Sequence, residues 1–343
     1  MPIENQPTPQ AAVHAGALPV PDTCSSNATP AAHGRWLFVL PWEPHHVGGV
    51  NQVVLSLADA LRADARLAPL IAINRWGQRN VARSEYQGFE ILHLWSRTPW
   101  VARRPWRGLA TWLVTLPFTL ARLALLLRRF EVRVVNVHYP SLSACNWVLL
   151  RRLGLFDGTV VLSLHGLDVR SQCDDGGPAR ALWRYLLMHA DHVVACSDGL
   201  RDETIAAFTL PGHVGATIYN GIDEAVLQAK IGNAATHPLP TTHRYLVSIG
   251  TYEHKKGQDV LLAAFTRLAA RYPDLELIVA GRSGHALPAL REAVTAAGLA
   301  ARVHLLCDLH HADTLRIVRD AELFVLPSRN EGFSVAVLEA RSE

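Results

Sequence analysis

Three places in this 343-residue chain combine residue types able to act on one anionic, hydroxyl-rich ligand. The first is Lys255-Lys256 in SIGTYEHKKGQDVLLAAF, a distinctive pair because Lys230 is the only other lysine. A lysine at the C-terminal edge of a parallel sheet, beside a helix start, is placed to neutralise phosphate. The second is LFVLPSRNEGFSVAVLEA, where Glu331 precedes a helix that Ser334 can cap and that carries Glu339 in its second turn. A rise of about 1.5 Å per residue sets Glu339 roughly 7 Å along the axis from the helix mouth, so the two acids can hold separate hydroxyls of one extended ligand. The third is Gly48-Gly49-Val50, where glycine lets backbone N–H groups approach a ligand at a positive helix end. Each has a plainer account: solvated lysines, an acid favouring a helix N-terminus, and a tight turn.

The elements that must position these residues read as repeated strand-then-helix units. RWLFVLP is followed by the Gly-Gly loop and by VVLSLADALRAD, apolar at helical spacing. LAPLIAIN, FEILHLW, VRVVNVHYP, GTVVLSLHG and DHVVACSDG continue the first set as buried strands. A second set comprises RYLVSIG, LELIVAG, VHLLCD and ELFVLPS, the last ending at Pro327, with QDVLLAAFTRLAARY, ALPALREAVTAAG and ADTLRIVRDA as helices. The pattern predicts two doubly wound α/β domains, 35–210 and 243–343, joined by a linker over 211–242 and preceded by a flexible Pro- and Ala-rich tail over 1–34. The second set is short for a complete domain and ends inside an incipient helix, so the chain reads as cut short at its C-terminus.

Composition bounds the function. Hydrophobic residues form 49% of the chain and charged residues 18%, enough apolar material for buried sheets. A formal charge of +3, from 33 basic and 30 acidic residues, is too balanced for a protein whose main partner is nucleic acid. Five cysteines (Cys24, Cys145, Cys173, Cys196, Cys307) without a Cys-x-x-Cys pair suggest neither a disulfide framework nor a thiolate zinc site, and fit a reducing cytoplasm. The N-terminus has neither the basic start nor the apolar run of a secretory signal. No metal is expected: there is no Asp-x-Asp motif, Asp174-Asp175 beside Gly176-Gly177 read as loop, and the pairs His45-His46 and His310-His311 read as surface residues.

From Arg97 to Arg133 there are eight arginines against the single acid Glu131, interleaved with Trp100, Trp106 and Trp112. Pro117 and Arg122 argue against a membrane-spanning helix. Leu109, Leu113, Leu116, Leu120, Leu123 and Leu127 follow helical spacing between basic clusters, as in a helix lying on an anionic membrane surface. A helix packed on the sheet with solvated arginines has the same periodicity.

Together, GGVNQ, VNVHYP, SLHGLD, VVACSDGLRD, IYNGID, GTYEHKKGQDVLLAAF and FVLPSRNEGFSVAVLEA resemble the retaining family 4 glycosyltransferases of the GT-B fold, over about Arg35 to Ala340. The resemblance implies two Rossmann-like domains facing across a cleft. It implies transfer of a sugar, with retention of configuration, from a nucleoside diphosphate donor to a glycan or lipid-linked acceptor, without a metal or other cofactor. It makes Lys256 the cation at the diphosphate and Glu331 the contact to the donor sugar, with Gly332 and Phe333 near the phosphates. Glu339 becomes the holder of the ribose, Gly49 a neighbour of phosphates and acceptor, and His165 the histidine beside the reacting sugar. Thr251 stands where many relatives carry an arginine. In such enzymes the departing phosphate helps to deprotonate the acceptor on the same face.

The resemblance further implies polysaccharide biosynthesis by a cytoplasmic enzyme peripheral to the inner face of a membrane. Two alternatives stay open: a sugar-nucleotide epimerase or hydrolase on the same fold, and an inactive chain that binds membrane or glycan through Arg97 to Arg133.

Overall fold

The computed structural model describes residues 34–341 except 46, 47, 65, 76, 79, 102, 174–176 and 233–237. The tail over residues 1–33, with Cys24, lies outside the described residues, as do His46 and Asp174-Asp175-Gly176.

Among the described residues the first half builds one eight-stranded sheet from β1 (Arg35–Leu40), β2 (Ala68–Asn74), β3 (Ala82–Tyr86), β4 (Phe89–Leu94), β5 (Val132–His138), β6 (Thr159–Leu164), β7 (His192–Ala195) and β8 (Ala216–Thr217). Its order is β3-β4-β2-β1-β5-β6-β7-β8. All neighbours pair in parallel except β3 with β4. Leu37 to Leu40 of β1 are all buried, because a central parallel strand is covered on both faces. The helices are α1 (Gly49–Asp64), α2 (Pro105–Arg129), α3 (Cys145–Arg152), α4 (Leu167–Cys173), α5 (Pro178–His189) and α6 (Asp198–Phe208). One core, with Leu37, Leu92, Val135, Leu162, Trp183 and Phe208, lies on one side of the sheet, and Phe38, Ile71, Ile91 and Val54 fill the other.

The second half forms a parallel four-stranded sheet, order β11-β10-β9-β12, among the described residues. Its strands are β9 (Arg244–Ile249), β10 (Leu275–Gly281), β11 (Val303–Cys307) and β12 (Leu323–Phe324). The helices are α7 (Glu224–Gly232), α8 (Gln258–Ala269), α9 (Leu287–Ala296), α10 (His311–Arg319) and α11 (Val335–Arg341). The stretch read as a linker carries two elements of the domains themselves: β8 belongs to the first sheet, and α7 packs on the second half, its Leu227 and Ile231 buried with Leu315 of α10. β12 stops at Phe324 rather than Pro327, although Val325 N still donates to Val247 O at 2.8 Å.

α2 satisfies length and apolarity for a membrane crossing, with a mean hydropathy of 1.7 over its most apolar window. One face packs into the first core through Trp112, Leu120, Leu123, Leu126 and Leu127. Trp106, Leu113, Val114, Phe118 and Leu125 face outward and are exposed.

Candidate functional site between the two sheets

Crevices in open α/β sheets form outside the carboxyl ends of the strands. Here the carboxyl ends of both sheets meet. β5 ends at His138, β6 leads into His165 and β7 into Ser197; opposite, β9 leads into the Lys256 loop and β12 into the Glu331 loop.

Lys256 closes a short 3-10 turn, His254–Lys256, after which Gly257 (φ +67°) reverses the chain into α8. A Cβ on Gly257 would lie 2.1 Å from the carbonyl oxygen of Pro327, so only glycine lets the lysine loop and the glutamate loop touch. Lys256 Nζ then donates to Glu331 Oε1 at 2.6 Å, and Ser328 Oγ donates to the same oxygen at 2.7 Å. Thr251 lies at the start of the lysine loop, its carbonyl accepting from Gln258 Nε2 at 3.1 Å. Arg329 braces the two loops from outside, donating to His254 O at 2.7 Å and to both carboxylate oxygens of Asp259 at 2.8 and 2.7 Å. This pairing holds the Asp259 carboxyl down at about 2.

The first domain supplies the facing wall. Asp168 is buried and accepts from the backbone N–H groups of His165, Gly166 and Val169 at 2.7 to 3.1 Å, folding SLHGLD into a tight loop. Burial outweighs these donors and pushes its carboxyl up to about 6. His165 Nε2 lies 3.1 Å from His138 Nδ1, and burial lowers the His165 imidazole to about 4 and His138 well below its ordinary value. Both rings are therefore neutral near pH 7, and His165 acts there as a hydrogen-bonding group rather than as a cation.

The walls are in contact. A Cβ on Gly332 would sit 2.0 Å from His165 O, and one on Gly166 (φ +120°) 3.1 Å from the Gly332 Cα. Ser197 Oγ donates to Gly332 O at 2.9 Å and Arg170 Nη1 to Glu331 O at 3.2 Å. Phe333 packs on the first core and its ring lies 5.5 Å from that of Tyr219 in IYNGID.

Glu339 occupies a second part of the crevice. Its Oε1 is 2.8 Å from His311 Nε2, in a small cavity that Gln52, Ser56, Gly221, Asp223 and Val335 also line. Gly49, at the start of α1, approaches the same helix start: a Cβ there would be 3.5 Å from Val335 Cγ2. The structure thus brings Lys256 and Glu331 together with Gly332 and His165, and Glu339 together with Gly49 through α11. It corrects the reading of His310-His311 as a surface pair: His310 is exposed, but His311 turns inward to Glu339. Arg170, Ser197, Asp168 and His311 are site residues that sequence reasoning missed; only Asp168 and Ser197 carry a local signal, each lying inside a quoted motif. Among the described residues no three His, Cys, Asp or Glu side chains converge to hold a metal.

Two Rossmann-like domains meeting at their carboxyl edges, with the lysine and glutamate loops apposed on the second, have the architecture of the GT-B fold. The sequence matches the family described as Glycosyltransferase Family 4 over residues 47–226 and that described as Glycosyl transferases group 1 over residues 232–342. The chain belongs to glycosyltransferase family 4. It is 27% identical over 220 residues to the uncharacterized glycosyltransferase YqgM of Bacillus subtilis, covering 63% of this chain and 57% of that protein. It is 25% identical over 312 residues to phosphatidyl-myo-inositol mannosyltransferase of Mycolicibacterium smegmatis, covering 88% of this chain and 72% of that one. The chain therefore spans between about half and three-quarters of the length of these relatives. Its fold is similar to that of Anabaena Alr3699/HepE in complex with UDP, with a TM-score of 0.63 at 16% identity over 90% of this chain and 78% of that one.

Proposed function

We propose that this glycosyltransferase moves a sugar from a nucleoside diphosphate donor to a glycan or lipid-linked acceptor with retention of configuration. Residues 243–343 form the donor half and residues 35–210 the acceptor half. The observation that carries the reading is the Lys256–Glu331 pair, set on adjacent loops and pressed against His165. Breaking a sugar–phosphate bond develops negative charge on the leaving diphosphate; Lys256 and the N-terminal end of α8 lie where they can stabilise it. When a diphosphate takes Lys256, Glu331 is released to accept from donor-sugar hydroxyls, with neutral His165 beside the reacting carbon. Glu339 holds the ribose, oriented by His311. Interdomain closure excludes water, and so limits wasteful donor hydrolysis. A structural neighbour solved in complex with UDP and a relative named phosphatidyl-myo-inositol mannosyltransferase support the donor and acceptor classes.

The outward face of α2 supports an anionic membrane surface as a further partner. Trp106, Val114 and Phe118 are 69%, 74% and 79% exposed, between Arg103, Arg104 and Arg107 at one end and Arg128 and Arg129 at the other. The helix starts at the carboxyl edge of the sheet, so the docked face would bring lipid near the cleft rim.

The direct test is a thermal-shift screen of nucleoside diphosphates followed by transfer assays with the Lys256→Ala and Glu339→Ala variants. The reading expects a stabilising nucleotide whose shift each variant removes; unchanged binding and turnover in both variants sinks it.

A further inference from the structure

Arg170 and Ser197 belong to the first domain, yet both donate to consecutive main-chain carbonyls of the second. Arg170, on α4, lays its guanidinium against Glu203 of α6, with Nε 2.8 and 2.9 Å from the two carboxylate oxygens and Nη2 2.7 Å from one of them. Its Nη1 points the other way, to Glu331 O at 3.2 Å. Ser197 Oγ caps α6 by accepting from Leu200 N at 3.2 Å and donates to Gly332 O at 2.9 Å. Between these two bonds lie Gly166 and Gly332: a Cβ on Gly332 would fall 2.0 Å from His165 O, and one on Gly166 3.1 Å from the Gly332 Cα.

We infer that Arg170, held by Glu203, is a positioning residue that clamps the Glu331 main chain and sets how completely the cleft closes. The inference rests on the donor-site reading of Glu331. Three features carry it. The clamp grips the carbonyl of Glu331 and leaves its carboxylate to Lys256 and Ser328, so it orients the acid without competing for it. Glu203 already balances the guanidinium charge, so what Arg170 offers across the cleft is a directed N–H rather than a diffuse attraction. Lastly, both acceptors lie on the one loop that meets His165, so these bonds exist only when the two walls touch. In an open cleft their partners are water, and each bond contributes to the closed state alone.

Losing the clamp should therefore lower turnover and leave nucleotide affinity, a property of the second domain, almost unchanged. A charge-assisted hydrogen bond of this kind sets an effect of about tenfold. Arg170→Gln is expected to speed backbone hydrogen exchange about tenfold in segments 165–170 and 328–334 of the ligand-free protein. It should cut kcat about tenfold and raise donor hydrolysis relative to transfer, with UDP affinity by calorimetry within about twofold. The swap Arg170→Glu/Glu203→Arg restores the ion pair inside the first domain but puts an acceptor, not a donor, opposite Glu331 O. It should recover the melting temperature without recovering exchange protection or turnover. If the swap restores both, or if Arg170→Gln leaves exchange in the two segments at the wild-type rate, Arg170 only braces α4 against α6 and the inference is overturned. If the exchange results hold but the wild-type chain transfers no sugar, the donor reading fails and the clamp stands.

Discussion

Lys256 Nζ lies 2.6 Å from Glu331 Oε1, so the two groups proposed to meet different parts of one donor are paired with each other. Both are partly buried, at 20% and 27% side-chain exposure, which makes each a poor group to leave unpaired. A nucleoside diphosphate must exchange this partner for its own phosphate, and the freed carboxylate must find sugar hydroxyls.

That exchange separates the two residues by experiment. Lys256→Ala should weaken nucleoside diphosphate binding by about 100-fold, since it removes the phosphate cation and leaves a carboxylate nearby. Glu331→Gln should leave nucleoside diphosphate binding equal or slightly tighter, because Lys256 loses its internal competitor, while sugar transfer falls by about 100-fold. Calorimetry with the nucleotide, set beside turnover, reads both. Weaker nucleotide binding in Glu331→Gln would contradict the proposed division of labour.

Gly332→Ala tests the contact between the walls. The added methyl carbon would lie 2.0 Å from His165 O, a backbone atom that cannot rotate away. Gly332 keeps an ordinary φ, so the cost falls on the closed cleft rather than on the loop itself. The expected result is a melting temperature within a few degrees of wild type, a larger radius of gyration in solution scattering, and turnover reduced at least about 100-fold.

The strands most legible in the sequence are those covered on both faces, such as β1 and β2, because burial on both faces writes a nearly continuous apolar run. β3 is not legible: as an antiparallel edge strand it exposes Arg83, Ser84 and Glu85 and is held by backbone pairing to β4, which leaves no apolar pattern. β8, of two residues, is too short to show periodicity, whereas β12 is legible as ELFVLPS although its ladder covers only Leu323 and Phe324. At the site, Lys256, Glu331 and Glu339 stand out through residue type, spacing and the family resemblance. Their partners do not. Arg170 and Ser197 meet the glutamate loop across sequence separations of 161 and 135 residues, and His311 meets Glu339 across 28. Spacing along a chain carries no record of such contacts until the sheets are placed edge to edge.

His311 yields a graded prediction. If it orients the Glu339 carboxylate for the ribose, His311→Gln, which keeps a hydrogen-bond donor, should weaken nucleoside diphosphate binding by about threefold or less. His311→Leu should weaken it about tenfold, and Glu339→Ala more than either. Nucleotide affinities across the three variants decide it; equal losses in the glutamine and leucine variants would leave His311 no orienting role.

Stability against pH should expose the buried groups behind the cleft. The His165 imidazole is lowered to about 4 by burial, so its contribution is complete above the ordinary value near 6.5 and is lost as pH falls towards 4, where the unfolded chain takes up the proton first. His138 acts in the same direction. Asp168 acts in the opposite one: with its carboxyl raised to about 6, its contribution is complete below the ordinary carboxylate range and lost as pH rises through 6. From pH 7 to pH 5 the His165 loss is about 2 kcal/mol, partly offset by Asp168. Thermal melts should show the wild type losing stability over this interval. The loss should grow in Asp168→Asn, which keeps an acceptor for the loop but removes the offset, and shrink in His165→Gln. A wild type that gains stability on acidification to pH 5 would contradict the neutral histidine pair.

The outward face of α2 yields the last prediction. Trp106 and Phe118 are 69% and 79% exposed, so replacing both by glutamine removes apolar surface without opening the core formed by Trp112, Leu120 and Leu123 on the opposite face. Burying each ring in a lipid interface is worth on the order of 1.5–3 kcal/mol, and each arginine near an anionic surface about 1 kcal/mol. Wild-type protein should therefore co-sediment with phosphatidylglycerol vesicles at least about tenfold better than with phosphatidylcholine vesicles, and lose that advantage as salt is raised. Trp106→Gln/Phe118→Gln should weaken binding to both vesicle types, whereas Arg128→Gln/Arg129→Gln should remove chiefly the preference for the anionic one. Equal binding of wild type and both variants would remove the membrane as occupant, and a dimer abolished by the aromatic changes alone would replace it with a second copy of the chain.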